Sequence, residues 1–361
     1  MIKTFDKYFI KLFFKKIVLL SLIFFSLAYI LSLFEEITFF SDSSNSKFHL
    51  PFMITLLNVP ATLLELFPFI ILISTQLFFV EIIKKKENEL IKINRLDNFY
   101  LIKLLALCSF LFGIMIISFY YPISSKLKFF YFDIKNIYSE DAKYLKHYSG
   151  NGLWIKDEID NEIYIINASS ENKDKFLKNV FITKFDKNFD IIESISSRRV
   201  DISSNEWVIQ SPILFKNNKQ IQLENDIKLS SHFNFDKINK SFRDLNSLNM
   251  IELINLKREN KLLGYSSEEV DLHFLRIISL PIYFSIMVVI SAIIMLNIKR
   301  DKPYIFHVLL GILLSVIIYY INNIFNIFGL TDKIPIYLSV FFPIIFLSIV
   351  STIGLVRINE K

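Results

Sequence analysis

Cysteine, glycine and tryptophan are scarce in this chain: its 361 residues include one cysteine, seven glycines and two tryptophans. The lone Cys108 excludes an intramolecular disulfide and, set in an apolar run, reads as a small buried apolar residue. The punctuation of catalysis is missing too. No GxxxxGK[ST] phosphate loop, HExxH, paired CxxC or GxSxG occurs, so nothing here hydrolyses ATP by itself. His49, His147, His232, His273 and His307 are dispersed, without metal-ligand spacing. A convergent set of titratable groups, which a lipid-modifying enzyme would need, is absent.

What is abundant is apolar sequence. Hydrophobic residues make up 53% of the chain, and 38 are phenylalanine. Charge is missing from residues 17–34 altogether, close to the roughly 20 residues that cross about 30 Å of hydrocarbon. Comparable runs at 52–80, 101–121, 277–298, 304–329 and 334–356 give six expected membrane spans. Pro60 and Pro68 fall inside the second, where neighbouring helices can satisfy the freed backbone groups. The first run is too long for a cleavable signal and is expected to stay as a helix.

The net charge of +6 matters less than where the charges lie. Lys3, Lys7, Lys11, Lys15 and Lys16 face Asp6 before the first span. Residues 84–103 hold six basic residues against three acidic, and Lys299, Arg300 and Lys302 flank Asp301. All fall on one side of a six-span chain. The other side has Glu35, Glu36 and Asp42 against Lys47, then Asp332 with Lys333. The positive-inside rule therefore places both termini in the cytoplasm and the long insertion between spans three and four outside it.

That insertion reads as a domain. NEIYIINA (161–168), KNVFITKFD (178–186), FDIIESISS (189–197), EWVIQSPILF (206–215) and KQIQLENDIKL (219–229) are short β-branched and aromatic runs separated by turn residues, as in a sandwich or jelly roll. Trp154 and Trp207 read as core aromatics of that sheet. Leu245, Leu248, Ile251, Ile254 and Leu262 recur near a 3.6 period, so 244–263 reads as an amphipathic helix with Gly264 ending it and Ser266 opening the next. The expected fold is an α-helical membrane protein with six transmembrane helices and an extracytoplasmic all-β, jelly-roll-like domain between helices 3 and 4. Its expected parts are 1–121 (helices 1–3, with a cytoplasmic helix at 84–100), 122–243 (β domain), 244–276 (connecting helices) and 277–361 (helices 4–6).

Polar residues inside spans are costly and mark bundle interiors or cavities. Glu65 in span two and Tyr319, Asn322, Asn323 and Asn326 in span five qualify; they are open to helix-to-helix hydrogen bonding or substrate contact, and the Tyr319 ring also suits the interfacial belt. There is no chain of carboxylates such as a proton-driven transporter needs. Between spans two and three, Lys84 to Lys86 suffice as an inside-facing flank. They leave unexplained the stripe Ile83, Leu90, Ile93, Leu96 and Tyr100, one face of a short helix that lies on the membrane surface or in a protein groove.

The order of features resembles the LptF/LptG permease family of lipopolysaccharide exporters, and most of all its G-type members. The resemblance is carried by FDKYFIKLFFKKI, NVPATLLELFPFIILIS, Glu89-Leu90-Ile91, Gly152-Leu153-Trp154, LLGYSSEEVDLHFLRIISLPIYF and YYINNIF. It implies a non-enzymatic permease in the bacterial inner membrane, paired with an F-type paralogous permease on a dimeric cytoplasmic LptB-like ATPase. A single-span LptC-like protein and a periplasmic LptA-like bridge complete the assembly. Lipopolysaccharide or a related glycolipid is the cargo, ATP is used by the partner rather than bound here, and no nucleic acid is involved. Residues 84–100 occupy the place of the helix that docks on the ATPase, with Ile83, Glu89, Leu90, Ile93, Arg95 and Leu96 as the implied contacts. This chain reads Asn94-Arg95-Leu96-Asp97 where the family usually has a small-residue and glycine step. It reads Ser32-Leu33-Phe34-Glu35-Glu36 where G-type members tend to carry a basic residue. The competing reading is a membrane-anchored sensor or assembly scaffold whose outer β domain binds a ligand.

Overall fold

The computed structural model describes residues 4–41, 48–85, 98–138, 153–159, 162–172, 175–187, 189–216, 219–223, 225–235, 237–238, 243–262, 265–297 and 303–359. Its helices are α1 (Thr4–Ser41), α2 (Leu50–Lys84), α3 (Asn98–Met115), α4 (Tyr121–Tyr138), α5 (Met250–Leu262), α6 (Glu268–Leu296), α7 (Tyr304–Leu330) and α8 (Ile336–Asn359). The chain divides into two compact units: Met1–Phe39, Pro51–Leu127 and Glu268–Lys361 form one, Phe40–Leu50 and Lys128–Ser267 the other.

Among the described residues six helices are long and apolar enough to cross a membrane: Phe5–Ser41, Leu50–Lys84, Asn98–Tyr138, Glu268–Leu296, Tyr304–Leu330 and Ile336–Arg357. Two run well beyond the apolar stretches that announced them. The first helix begins at Thr4 rather than near 17, because Asp6, Phe9, Phe13, Ile17 and Leu20 recur every three or four residues and bury one face. At 1.5 Å per residue its 38 residues reach about 57 Å. The third does not stop at 121: a π-helical turn at Ile116–Tyr120 leads straight into α4, whose Lys126, Lys128 and Lys135 end the apolar run without ending the helix.

In the helical unit α2 and α6 are the most enclosed spans, while α1 and α7 are mostly exposed. Lipid tails are as apolar as side chains, so close approach and buried hydrogen bonds must hold such helices together. Both are present. Gly113 of α3 lets the backbone of α6 come so near that an added Cβ would stand 2.6 Å from Pro281 Cα. Ser285 Oγ donates to the Ala106 carbonyl at 3.0 Å, and Ser291 Oγ to the Leu72 carbonyl at 2.9 Å. Phe67 of α2 meets Phe112, Tyr120 and Phe284 with ring centroids 5.9, 5.3 and 6.2 Å away. Gln76, fully buried, donates to the His307 carbonyl at 3.0 Å, in space that Gly311 leaves open.

The second unit is built on one antiparallel eight-stranded sheet, a half-barrel: β1 (Leu153–Ile159), β2 (Glu162–Asn172), β3 (Phe176–Phe185), β4 (Ile191–Asp201), β5 (Glu206–Gln210), β6 (Ile213–Lys216), β7 (Lys219–Gln222) and β8 (Ile227–Ser230). The order is β1-β2-β3-β4-β5-β8, with β6 on β4 and β7 on β6. The long run 206–215 is broken at Ser211, whose φ of 45° and following proline turn the chain, so β4 pairs with β5 along one stretch and β6 along another. Leu153, Ile155, Ile166, Ile182, Val200 and Trp207 point into the core.

Two expectations about this unit are corrected. Trp207 is a core aromatic, fully buried and donating from Nε1 to the Phe233 carbonyl at 2.7 Å. Trp154 is not. Strand β1 strictly alternates, Leu153, Ile155 and Asp157 facing in, so period two puts Trp154 outside at 50% exposure. The stripe drawn through 245–262 holds at Leu248, which is buried, and fails from Ile251 on. Asp244 caps a separate 3-10 turn at Leu245–Ser247. A new helix starts after Asn249, whose side chain accepts from the Ile251 and Glu252 amides while Glu252 accepts from the Asn249 amide, a reciprocal cap. That restart resets the phase. Leu253 and Leu256 are buried, whereas Ile251, Ile254 and Leu262 are exposed.

Candidate functional site

Residue by residue, the sites named from the sequence separate into two groups. Of the segment at 84–100, Glu89, Leu90, Ile93, Arg95 and Leu96 lie outside the described residues. Its two flanks are defined. Ile83 is half-buried near the end of α2, and Tyr100, in the first turn of α3, donates from Oη to Asp6 Oδ1 at 3.0 Å. Between these flanks and α1 the geometry is ionic as well as apolar. Lys16 pairs with Glu81, and Lys85 meets the same carboxylate at 2.6 Å one turn on. Phe9 and Phe13 set their edges on Phe78, with centroids 6.2 and 6.1 Å away. The ends of α1, α2 and α3 thus form one polar-edged cluster.

Of the intramembrane polar residues, Asn322 Nδ2 donates to Tyr283 Oη at 2.6 Å, tying α7 to α6. Tyr319 lays its ring near Phe69 of α2, centroids 5.9 Å apart, and stays 45% exposed. Asn323 and Glu65 are exposed on the helix surface. The structure therefore gives Asn322 a helix-to-helix bond, and it does not bring Glu65 and the asparagines into one bonded constellation. Among the described residues no group of His, Cys, Asp and Glu could hold a metal ion.

Sequence reasoning missed Asp6, Lys16, Glu81, Gln76, His307 and Tyr283. Lys16 read only as part of a basic flank. A signal for Glu81 did exist: it is the one acid in the last two turns of an otherwise apolar run, four residues before a lysine.

Six spans, a β unit inserted between the third and fourth, and a charged cluster where α1 meets the flanks of 86–97 are what a family comparison must account for. The family description "Lipopolysaccharide export system permease LptF/LptG" matches residues 7–357. The chain belongs to the LptF/LptG permease family. The match does not separate the F-type from the G-type. No curated protein matches the chain individually. An LptF/LptG permease is a transport component rather than an enzyme by itself, and this one is a multi-pass membrane protein.

Proposed function

We propose that this LptF/LptG permease is the G-type half of an ATP-driven exporter that extracts lipopolysaccharide or a related glycolipid from the inner membrane and passes it toward a periplasmic bridge. The observation that carries the permease reading is the family match over nearly the whole chain, on a protein with six apolar helices and a β insertion, while the G-type assignment rests on the sequence motifs alone. Both termini and residues 84–100 are then cytoplasmic, and the half-barrel is periplasmic, as the lysine and arginine bias supports. The F-type paralogue and this chain enclose a cargo cavity between them, a dimeric LptB-like ATPase takes residues 84–100 in a groove, and LptC-like and LptA-like proteins receive the cargo. ATP is bound by the ATPase alone. Helices this rich in Phe and Ile would wall such a cavity with apolar side chains, which suits a large amphiphile better than a charged pore would.

Reconstitution with the paralogue and the ATPase tests this directly. Glu89→Lys, and Leu90 with Ile93 both changed to Asn, are each expected to lower ATP-dependent glycolipid release at least about tenfold, equal to about 1.4 kcal/mol of coupling. Unchanged release in both variants would remove residues 84–100 from the docking role. A lone oligomer that captures neither partner would favour the sensor.

A further inference from the structure

Across β2, β3 and β4 the inward residues stand in rows: Ile166, Ile182 and Ile195 share one, and Ala168, Val180 and Ser197 the next. Beyond that second row the alternation breaks in β3 and β4 at the same level. Two consecutive residues of each strand are exposed, Lys178 with Asn179 and Arg198 with Arg199, before Leu177 and Val200 are buried again. Asn179 carries the bend at a φ of 48°, a left-handed conformation that asparagine adopts more readily than most residues. Its Nδ2 donates to Ser169 Oγ of β2 at 3.2 Å, and Ser169 Oγ donates to the Lys178 carbonyl at 3.1 Å.

The bend gathers positive charge. Lys178 stands directly opposite Arg199 in the β3–β4 register, an arrangement that destabilises an antiparallel pair, and Arg198 adds a third cation beside them. Elsewhere on this sheet Lys184, Lys216 and Lys228 each meet a glutamate. Among the described residues none of these three cations lies in an ion pair. Asp201, two positions beyond Arg199, is engaged instead by Ser203, whose amide and hydroxyl donate to its Oδ1 at 2.9 and 2.6 Å. The Arg199 guanidinium is stacked on Phe176, with Cζ 3.6 Å from the ring centroid. Stacking occupies one face of the guanidinium and leaves its in-plane N–H donors available. We propose that Lys178, Arg198 and Arg199 form a binding site for a phosphoryl oxyanion, which offsets their mutual repulsion and accepts from the fork of Arg199. Free inorganic phosphate and the phosphorylated saccharide of a glycolipid present the same chemistry. The site does not depend on the export reading, because inorganic phosphate alone tests it.

The test is calorimetric titration of the full chain in detergent with inorganic phosphate, at an ionic strength held constant with chloride. Wild type is expected to bind phosphate saturably. Arg199→Gln and Lys178→Gln are each expected to weaken binding about tenfold or more, and Arg199→Lys, which keeps the charge but loses the fork and the stacking, about fivefold. Because Lys178→Gln also removes a repulsion, its phosphate-free urea midpoint, read from Trp207 fluorescence in the Trp154→Phe background, is expected to rise while binding falls. Competition identifies the source. Glucose 6-phosphate that displaces phosphate at a lower concentration than phosphate itself, while glucose does not, assigns the site to a phosphorylated saccharide; the reverse order assigns it to free phosphate. Wild type that shows no saturable binding over chloride overturns the proposal, as do variants that bind as wild type does. A midpoint lowered in Lys178→Gln makes that lysine a structural residue and overturns it as well.

Discussion

Asp157 shows how much one inward-facing carboxylate can organise. It accepts from Ser231 Oγ at 2.7 Å and from the His232 amide at 2.9 Å, and it pairs with His232 Nδ1 at 2.8 Å. These bonds join β1, one edge of the sheet, to the chain just beyond β8, the other. Nearby, Tyr265 Oη donates to the Lys156 carbonyl at 3.0 Å and accepts the Lys156 amide at 2.8 Å, so the outer backbone of β1 is occupied there. Burial pushes the Tyr265 phenol up to about 12, which keeps it a donor at every physiological pH. Asp157→Ala would strand buried donors at a cost of about 2–3 kcal/mol. The readout is built in. With Trp154→Phe as background, Trp207 is the sole indole and sits in the core. Its fluorescence is expected to report unfolding of the half-barrel at a lower urea midpoint in the Asp157 variant, and an unchanged midpoint would show that the clasp adds nothing.

At the level of elements, β2, β3 and β4 are cross-braced by charge at one end of the face that carries Tyr164, Ile166 and Ile182. Lys184 contacts Glu162 at 2.6 Å and Glu193 at 3.9 Å, with Tyr164 Oη donating to Glu162 at 3.1 Å. The Lys184 ammonium holds the Glu162 carboxyl below its ordinary 4.5, and Glu162 holds Lys184 above its ordinary 10.5. The depressed carboxyl contributes stability above 4.5 that is lost as pH falls through its folded value; the raised ammonium contributes below 10.5 and is lost as pH rises through its own. The Trp207 midpoint should therefore be flat between these limits and fall outside both. Glu162→Gln should flatten the acid side, and an acid arm as steep as wild type would assign it to other carboxylates.

Over the whole molecule, the uneven enclosure of the spans is the informative property. Exposed Val18, Leu22, Leu31, Leu309, Leu313 and Ile317 lie on α1 and α7, whereas α2 buries Ile70, Ile71 and Leu72 completely. Such faces suit lipid or another helix equally. A carbene reagent dissolved in the membrane is expected to label α1 and α7 of the lone chain heavily and α2 lightly. Assembly with the paralogous permease is expected to protect part of α1 or α7. Identical labelling with and without the paralogue would place the shared surface elsewhere.

The number and order of the spans were legible in the sequence because crossing hydrocarbon is a local requirement: about 20 uncharged residues either occur together or do not. Strands β2 to β4 were legible in the same way, from runs of β-branched and aromatic residues between turn residues, whereas β1 was not among those runs and 206–215 and 219–229 each divide into two strands. What the sequence could not decide depended on partners far along the chain or on the exact phase of an element. Trp154 and Trp207 look alike as residues, and only strand register sends one outward. The stripe from Leu245 to Leu262 was periodic, but the cap at Asn249 restarted the helix and put Leu253 and Leu256 inside. Asn322 alone left two roles open until Tyr283, 39 residues away, was seen to accept from it. Lys16 and Glu81 are 65 positions apart, so no window of sequence could pair them. By itself the sequence determined that this chain spans a membrane six times around an inserted β unit, because desolvating backbone and charge is priced residue by residue. Only the tertiary structure decided that α1 is tied to the helices flanking 86–97, because an ion pair exists only where folding brings both charges within reach.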